Sequence, residues 1–159
     1  MKQQNPWVLS GDAATVRLAR KMADLTFQGM SVYLHGALGA GKTSLVRAYL
    51  QALGHHGTVR SPTYTLVEPY VLPQGTAYHF DLYRLQDPEE LELIGVRDYF
   101  EQGNLCLVEW AERAKDWLPV PDIELFLEII PGGRHIRWQS GTVQGEVWLH
   151  QLEQQWLNH

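Results

Sequence analysis

The chain has one cysteine, Cys106, in 159 residues. An internal disulfide framework is therefore excluded, and a chain of this length buries a sufficient core without one. No apolar run is long enough to cross a bilayer, and no apolar stretch of the secretory kind follows Met1-Lys2-Gln3-Gln4-Asn5-Pro6. The expectation is a cytoplasmic protein of a reducing compartment, without a membrane partner. A basic surplus is also lacking: 13 Lys and Arg stand against 18 Asp and Glu, for a net charge of -5. Such a balance argues against a protein that grips nucleic acid alone, so any RNA would be reached through a partner that supplies the basic surface. Cys and His residues show no zinc spacing, and the adjacent His55 and His56 must point apart. Internal repeats, linkers and low-complexity tracts are absent too. These absences leave one ordinary globular domain, residues 1–159, with 45% hydrophobic and 19% charged residues.

What is present is concentrated at Gly36-Ala37-Leu38-Gly39-Ala40-Gly41-Lys42-Thr43, a complete phosphate-binding loop of the form G-x-x-x-x-G-K-[ST]. Its context fits. Ser31-Val32-Tyr33-Leu34-His35 reads as a short buried strand ahead of it. Behind it Leu45, Val46, Tyr49, Leu50 and Leu53 recur on one helix face, and Gly54 offers a stop. The glycines let successive backbone N–H groups line one concavity, and the helix N-terminus adds partial positive charge. Gly36, Leu38, Gly39, Ala40, Gly41 and Ser44 are thus nucleotide-binding candidates. Lys42 reaches the β- and γ-phosphates, and the Thr43 hydroxyl can ligate Mg²⁺. A nucleoside triphosphate with Mg²⁺ is the ligand this pattern predicts.

The remainder reads as alternating strands and helices. Trp7-Val8-Leu9 suggests a first strand. Ser10 or Asp12 can cap a helix running to about Phe27, with Val16, Ala19, Met22 and Ala23 facing inward. Thr65 to Leu72 and Thr76 to Leu85 form two strands of a hairpin turned at Pro73-Gln74-Gly75. Asp87-Pro88-Glu89-Glu90 opens a helix, with Asp as cap, Pro at the first position and Glu90 completing a capping box. Gly95 breaks or kinks that helix. Leu105 to Trp110 is a buried strand, and Ala111 to Trp117 a short helix ended by Pro119 and Pro121. Ile123 to Ile130 and His135 to Gln139 form a second hairpin around Pro131-Gly132-Gly133-Arg134, and Glu146 to Trp156 a last helix. The fold class is α/β: a single P-loop NTPase domain, with a mixed β-sheet flanked by helices.

A P-loop protein also needs an acidic residue at the end of a neighbouring strand to hold the metal. Glu109 closes the apolar run Leu105-Cys106-Leu107-Val108, where such a carboxylate belongs; the bland reading is an ion pair at a strand end. Asp81 lies among apolar neighbours in His79-Phe80-Asp81-Leu82-Tyr83-Arg84. It is either catalytic or a carboxylate paired with Arg84 or capping a turn. An uncompensated buried carboxylate is costly, so each needs a cation or donor nearby. Ser61-Pro62-Thr63-Tyr64-Thr65 is a hydroxyl-rich loop where P-loop switches carry a γ-phosphate sensor, or else an ordinary hydrogen-bonded turn. Trp110 stands out because it directly follows the candidate metal ligand. The histidines read as structural or solvent-facing, with His79 and Asp81 simply sharing one strand face. Adenine contacts are not legible; Asp12 and Thr15 at the first helix and Arg134 in the last hairpin are candidates from where a base would emerge.

Taken in order, the phosphate loop, Ser61 to Glu68, His79 to Arg84, Asp87 to Leu91 and Leu107-Val108-Glu109-Trp110 closely resemble the TsaE (formerly YjeE) family. These are small ATPases of the bacterial system that installs threonylcarbamoyladenosine on tRNA. The resemblance spans Val32 to Trp110, about half of the chain. One departure is Ala37, where family members often carry an acidic residue that the phosphate cradle does not need. The resemblance implies that Thr43 and Glu109 hold Mg²⁺, that Lys42 and the loop amides hold the phosphates of ATP, that Thr63 belongs to a switch-like loop, and that Asp81 is needed for hydrolysis. It also implies two partners of one fold, a threonylcarbamoyl transferase subunit and its inactive paralogue, reset between rounds by ATP hydrolysis, with tRNA engaged only through that complex. Rival readings are a small P-loop kinase acting on a metabolite and an ATP-gated adaptor with little turnover. The kinase would usually carry an arginine-rich lid, whereas Arg84, Arg97 and Arg113 are scattered.

Overall fold

Alternating strand and helix segments build one seven-stranded sheet in the order β1-β7-β6-β2-β5-β4-β3. The computed structural model describes residues 7–25, 29–62, 64–101 and 103–157. The strands are β1 (Trp7–Leu9), β2 (Ser31–His35), β3 (Val67–Leu72), β4 (Gly75–Asp81), β5 (Leu105–Glu109), β6 (Ile123–Ile130) and β7 (Gly133–Ser140). The helices are α1 (Asp12–Ala23), α2 (Lys42–Ala52), α3 (Glu89–Leu93), α4 (Val96–Glu101) and α5 (Val143–Leu157), with a 3-10 helix at Ala111–Trp117. The four inner strands β4, β5, β2 and β6 are parallel, while β3, β7 and β1 attach antiparallel to their neighbours.

Parallel strands need both faces covered, and the apolar residues divide accordingly. One core joins Leu18, Ala19 and Met22 of α1, Leu45, Tyr49 and Leu50 of α2 and Trp148, Leu149 and Leu152 of α5 to Val32, Leu34, Leu105 and Leu107 of the sheet. The opposite face packs Tyr33, Phe80, Cys106 and Val108 against Leu85, Leu91, Val96 and Ala111. Burial there pushes the Cys106 thiol up to about 12. Helix α5 sits close because Gly145 abuts the Asp122 carbonyl. The Asp122 carboxylate accepts bonds from the Ser31 backbone at 2.8 Å and from the Thr142 hydroxyl, tying β2, β6 and α5 together.

Several boundaries differ from the sequence expectation. α1 ends at Ala23, with Gly11 rather than Ser10 or Asp12 in the capping position, and its expected end at Phe27 lies outside the described residues. Its inner face is Thr15, Leu18, Ala19 and Met22; Val16 is exposed, because a polar Thr one position earlier takes the buried place. β3 starts at Val67, not Thr65, whose hydroxyl bonds Glu68 instead. β4 stops at Asp81 rather than Leu85. The Asp81 carboxylate accepts the Tyr83 N–H at 3.1 Å and the Leu85 N–H turns back to the Leu82 carbonyl, so the strand ends there. Leu82 and Leu85 are buried as turn residues, which is why they resemble a strand in sequence. α3 begins at Glu89 with Pro88, rather than Asp87, in the capping position; the reciprocal bonds form just ahead of it, Asp87 Oδ1 accepting the Glu89 N–H at 3.0 Å and Glu90 Oε2 the Asp87 N–H at 3.2 Å.

Candidate nucleotide site

All four parallel strands direct their carboxyl ends to one side, where open α/β sheets bind ligands. β2 delivers Gly36 to Thr43, β5 delivers Glu109 and Trp110, and β4 delivers Asp81. A cleft of about 470 Å³ opens there, lined by residues that include Gly41, Lys42, Thr43, Asp81, Glu109, Trp110 and Arg134. Gly41 has φ +103°, and a Cβ at that position would meet the Arg134 guanidinium at 2.7 Å. Glycine is required for the backbone turn into α2, whereas the guanidinium it meets is the far end of a flexible side chain.

Lys42 is 5% exposed. Its ammonium donates to the carbonyls of Gly36 and Ala37, the latter at 3.2 Å, and lies 4.1 Å from the centre of the Trp110 ring. Burial lowers its pKa below the usual lysine value, while Glu109, Glu112 and Asp81 pull the other way. Trp110 holds φ at +60°, an outlier for a bulky residue that costs about 1–2 kcal/mol. Contacts on its ring from Lys42 and from Tyr83, 5.0 Å away, hold that conformation in place.

Glu109 is buried, and the donors that burial demands are present. The Thr43 hydroxyl lies 3.1 Å from both carboxylate oxygens, and His79 Nε2 lies 2.6 Å from Oε2. Among the described residues no cluster of three or more His, Cys, Asp or Glu is positioned to hold a metal. One carboxylate and one hydroxyl therefore converge here as hard oxygen donors. That set suits Mg²⁺, which takes few protein ligands and completes its shell with phosphate and water.

Asp81 is half-buried and does not pair with Arg84, whose guanidinium lies 5.8 Å from the Tyr64 ring centre. It accepts the Tyr83 N–H on Oδ1 and the Ser61 hydroxyl on Oδ2 at 3.1 Å. The Ser61 loop is thereby attached to the cleft wall, and Tyr70 bonds the Arg60 backbone behind it. Thr63 lies outside the described residues. Leu38, Gly39 and Ser44 line the cleft, while Gly36 and the buried Ala40 are not among its lining residues. Arg134 lines the cleft as well. Asp12 is exposed and Thr15 faces the α1 core; neither is among the lining residues, although the register Leu9–Arg134 brings the start of α1 to that end of the cleft. The residue whose part was not legible in the sequence is His79. The sequence places it only on one strand face with Asp81, and that two-residue alternation is its one signal.

A glycine-rich loop between a central parallel strand and a helix, with a lysine inside the loop and a carboxylate on the next strand, defines a P-loop nucleotide-binding protein of α/β architecture. A model of the family described as threonylcarbamoyl adenosine biosynthesis protein TsaE matches residues 9–136. The chain belongs to the TsaE family. It is 46% identical over 136 residues to the tRNA threonylcarbamoyladenosine biosynthesis protein TsaE of Haemophilus influenzae, covering 82% of this chain and 86% of that one. The protein of the same name from Bacillus subtilis is 34% identical over 129 residues, 79% of this chain and 78% of its own. The crystal structure of YdiB from Bacillus subtilis superposes with a TM-score of 0.78 at 26% identity, covering 98% of this chain and 97% of that one.

Proposed function

We propose that the chain is the ATP-binding and ATP-hydrolysing subunit of tRNA threonylcarbamoyladenosine biosynthesis, working in the cytoplasm with a threonylcarbamoyl transferase subunit and its inactive paralogue. The observation that carries this reading is the meeting of Thr43 and Glu109 beside the buried Lys42 at the mouth of a phosphate loop. In this reading the loop amides and Lys42 bind the β- and γ-phosphates, and the cleft-lining Arg134 borders the base. Thr43 Oγ1 and a Glu109 oxygen would hold Mg²⁺, which when bound neutralises charge between the terminal phosphates. Asp81, aimed into the cleft and anchored to Ser61, positions the attacking water and accepts its proton. Thr63 contributes to the γ-phosphate-sensing loop.

Hydrolysis by the isolated chain is slow, because the cleft-lining Arg84 is laid over the Tyr64 ring and Arg113 over the rings of Tyr83 and Trp110. The partners activate it by ordering the Ser61 loop or by supplying a cation, and the turnover resets their complex between rounds. An arginine supplied in trans is worth roughly 10³–10⁵ in rate. The net charge of -5 fits a subunit that acts on proteins and leaves tRNA to them. The decisive measurement is ATP turnover with and without the two partners, together with threonylcarbamoyladenosine formation on tRNA in the full system. Stimulation by about tenfold or more supports the reading. Turnover indifferent to partners, with label appearing on a small-molecule acceptor, replaces it with the kinase.

A further inference from the structure

Glu109 has two oxygens and three claims on them. Thr43 Oγ1 lies equidistant from both, so it does not decide which one faces the cleft. His79 does. Its Nε2 sits 2.6 Å from Oε2 alone, on the strand beside β5, where His79 pairs with Leu107 in the ladder. The imidazole is fully buried and its other nitrogen, Nδ1, has no hydrogen-bond partner among the described residues. A buried polar ring is costly, and one nitrogen of this one goes unsatisfied while the other is spent on a single carboxylate oxygen. A purely structural position on this apolar sheet face would be served by Val or Leu, as at the ladder partner Leu107.

From this geometry we infer that His79 is a positioning residue: it donates its Nε2–H to Glu109 Oε2 and so leaves Oε1 as the metal-facing oxygen. The inference rests on the reading of Thr43 and Glu109 as Mg²⁺ ligands. Histidine–carboxylate contacts behind a metal ligand set its orientation, and their loss costs roughly 10–100-fold in metal affinity. The rigid β4–β5 ladder fixes the donor's place, so a substitute must offer an N–H at the same distance from the backbone. Glutamine does, since its Nε2 replaces the imidazole Nε2. Asparagine, a methylene shorter, does not.

The test uses the full chain and measures the affinity for ADP with Mg²⁺ and again with chelator, in wild type, Glu109→Gln, His79→Gln and His79→Asn, with Mn²⁺ binding read separately by electron paramagnetic resonance. Affinity with chelator should stay the same throughout. The Mg²⁺-dependent gain and the Mn²⁺ affinity should fall roughly 10–100-fold in His79→Asn and stay within about threefold of wild type in His79→Gln. A merely structural histidine would lower thermal stability in both variants and leave the ratio with and without Mg²⁺ unchanged. An unchanged ratio in His79→Asn, or an equal loss in both histidine variants, overturns the inference while Glu109→Gln still loses the gain. If Glu109→Gln itself keeps the gain, the metal assignment fails instead, and the inference with it.

Discussion

Asp81 and Glu109 are register partners on the parallel ladder of β4 and β5. Two carboxylates thus end adjacent strands side by side, yet their surroundings separate them. Glu109 is 2% exposed and held by Thr43 and His79, whereas Asp81 faces the cleft and is held by a loop hydroxyl and a turn N–H. Burial and fixed donors suit a ligand; access to water suits a base.

Asp81→Asn should separate those roles. Asparagine keeps an oxygen for the Tyr83 N–H, so the turn survives, but the charge and the proton acceptor are gone. ATP affinity should stay within about threefold while turnover falls roughly 100-fold or more. Parallel losses in calorimetric affinity and steady-state turnover would make Asp81 structural.

Lys42→Ala removes an ammonium whose partners here are two loop carbonyls and the Trp110 ring. ATP affinity should drop roughly 10–100-fold, the worth of a charge-assisted contact, with an unchanged circular dichroism spectrum. Unaltered affinity would remove the phosphate-loop assignment.

Gly145→Ala reverses the usual sign of a helix substitution. Alanine in place of a helical glycine ordinarily gains up to about 1 kcal/mol. Here a Cβ would lie 1.9 Å from the Asp122 carbonyl oxygen, so α5 must move off the sheet. A loss of about 2 kcal/mol or more in denaturant unfolding should result, against less than about 0.5 kcal/mol for the exposed Val147→Ala.

Cys106 sets an alkaline limit. Its native thiol pKa is raised from 9.0 to about 12 by burial. Between those values the unfolded chain has lost its proton and the native state keeps it, so the stabilisation is complete below pH 9 and is lost as pH rises toward 12. The stability advantage of wild type over Cys106→Ala should therefore shrink by about 1–2 kcal/mol between pH 8 and 10.5, measured by urea unfolding. A constant difference across that range would mean that the thiol ionises as freely in the native protein as in the unfolded one.

The phosphate loop, its strand and its helix were legible because they are local: motif, apolar run and helical stripe are contiguous. Glu109 was legible for the same reason, as the last residue of an apolar strand. The His79–Glu109 contact was not, because it depends on how β4 lies against β5, and register is not written in either strand alone. The early end of β4 was hidden by Leu82 and Leu85, apolar residues that belong to the core without belonging to a strand. Thr15 shows the converse: a polar residue occupies a buried helix position, and a pattern read from hydrophobicity passes to Val16 instead.

The place of β2 in the sheet also sets an order in time. It is the second strand made, but its ladder neighbours are β5 and β6, and Ser31 meets Asp122 across a separation of 91 residues. Closing loops of that length delays assembly. A nascent chain halted after β4 carries every letter of the phosphate-binding motif on a strand with no neighbour on either side. Nucleotide competence is thus acquired late in synthesis and all at once, when the last third of the chain arrives to hold the first.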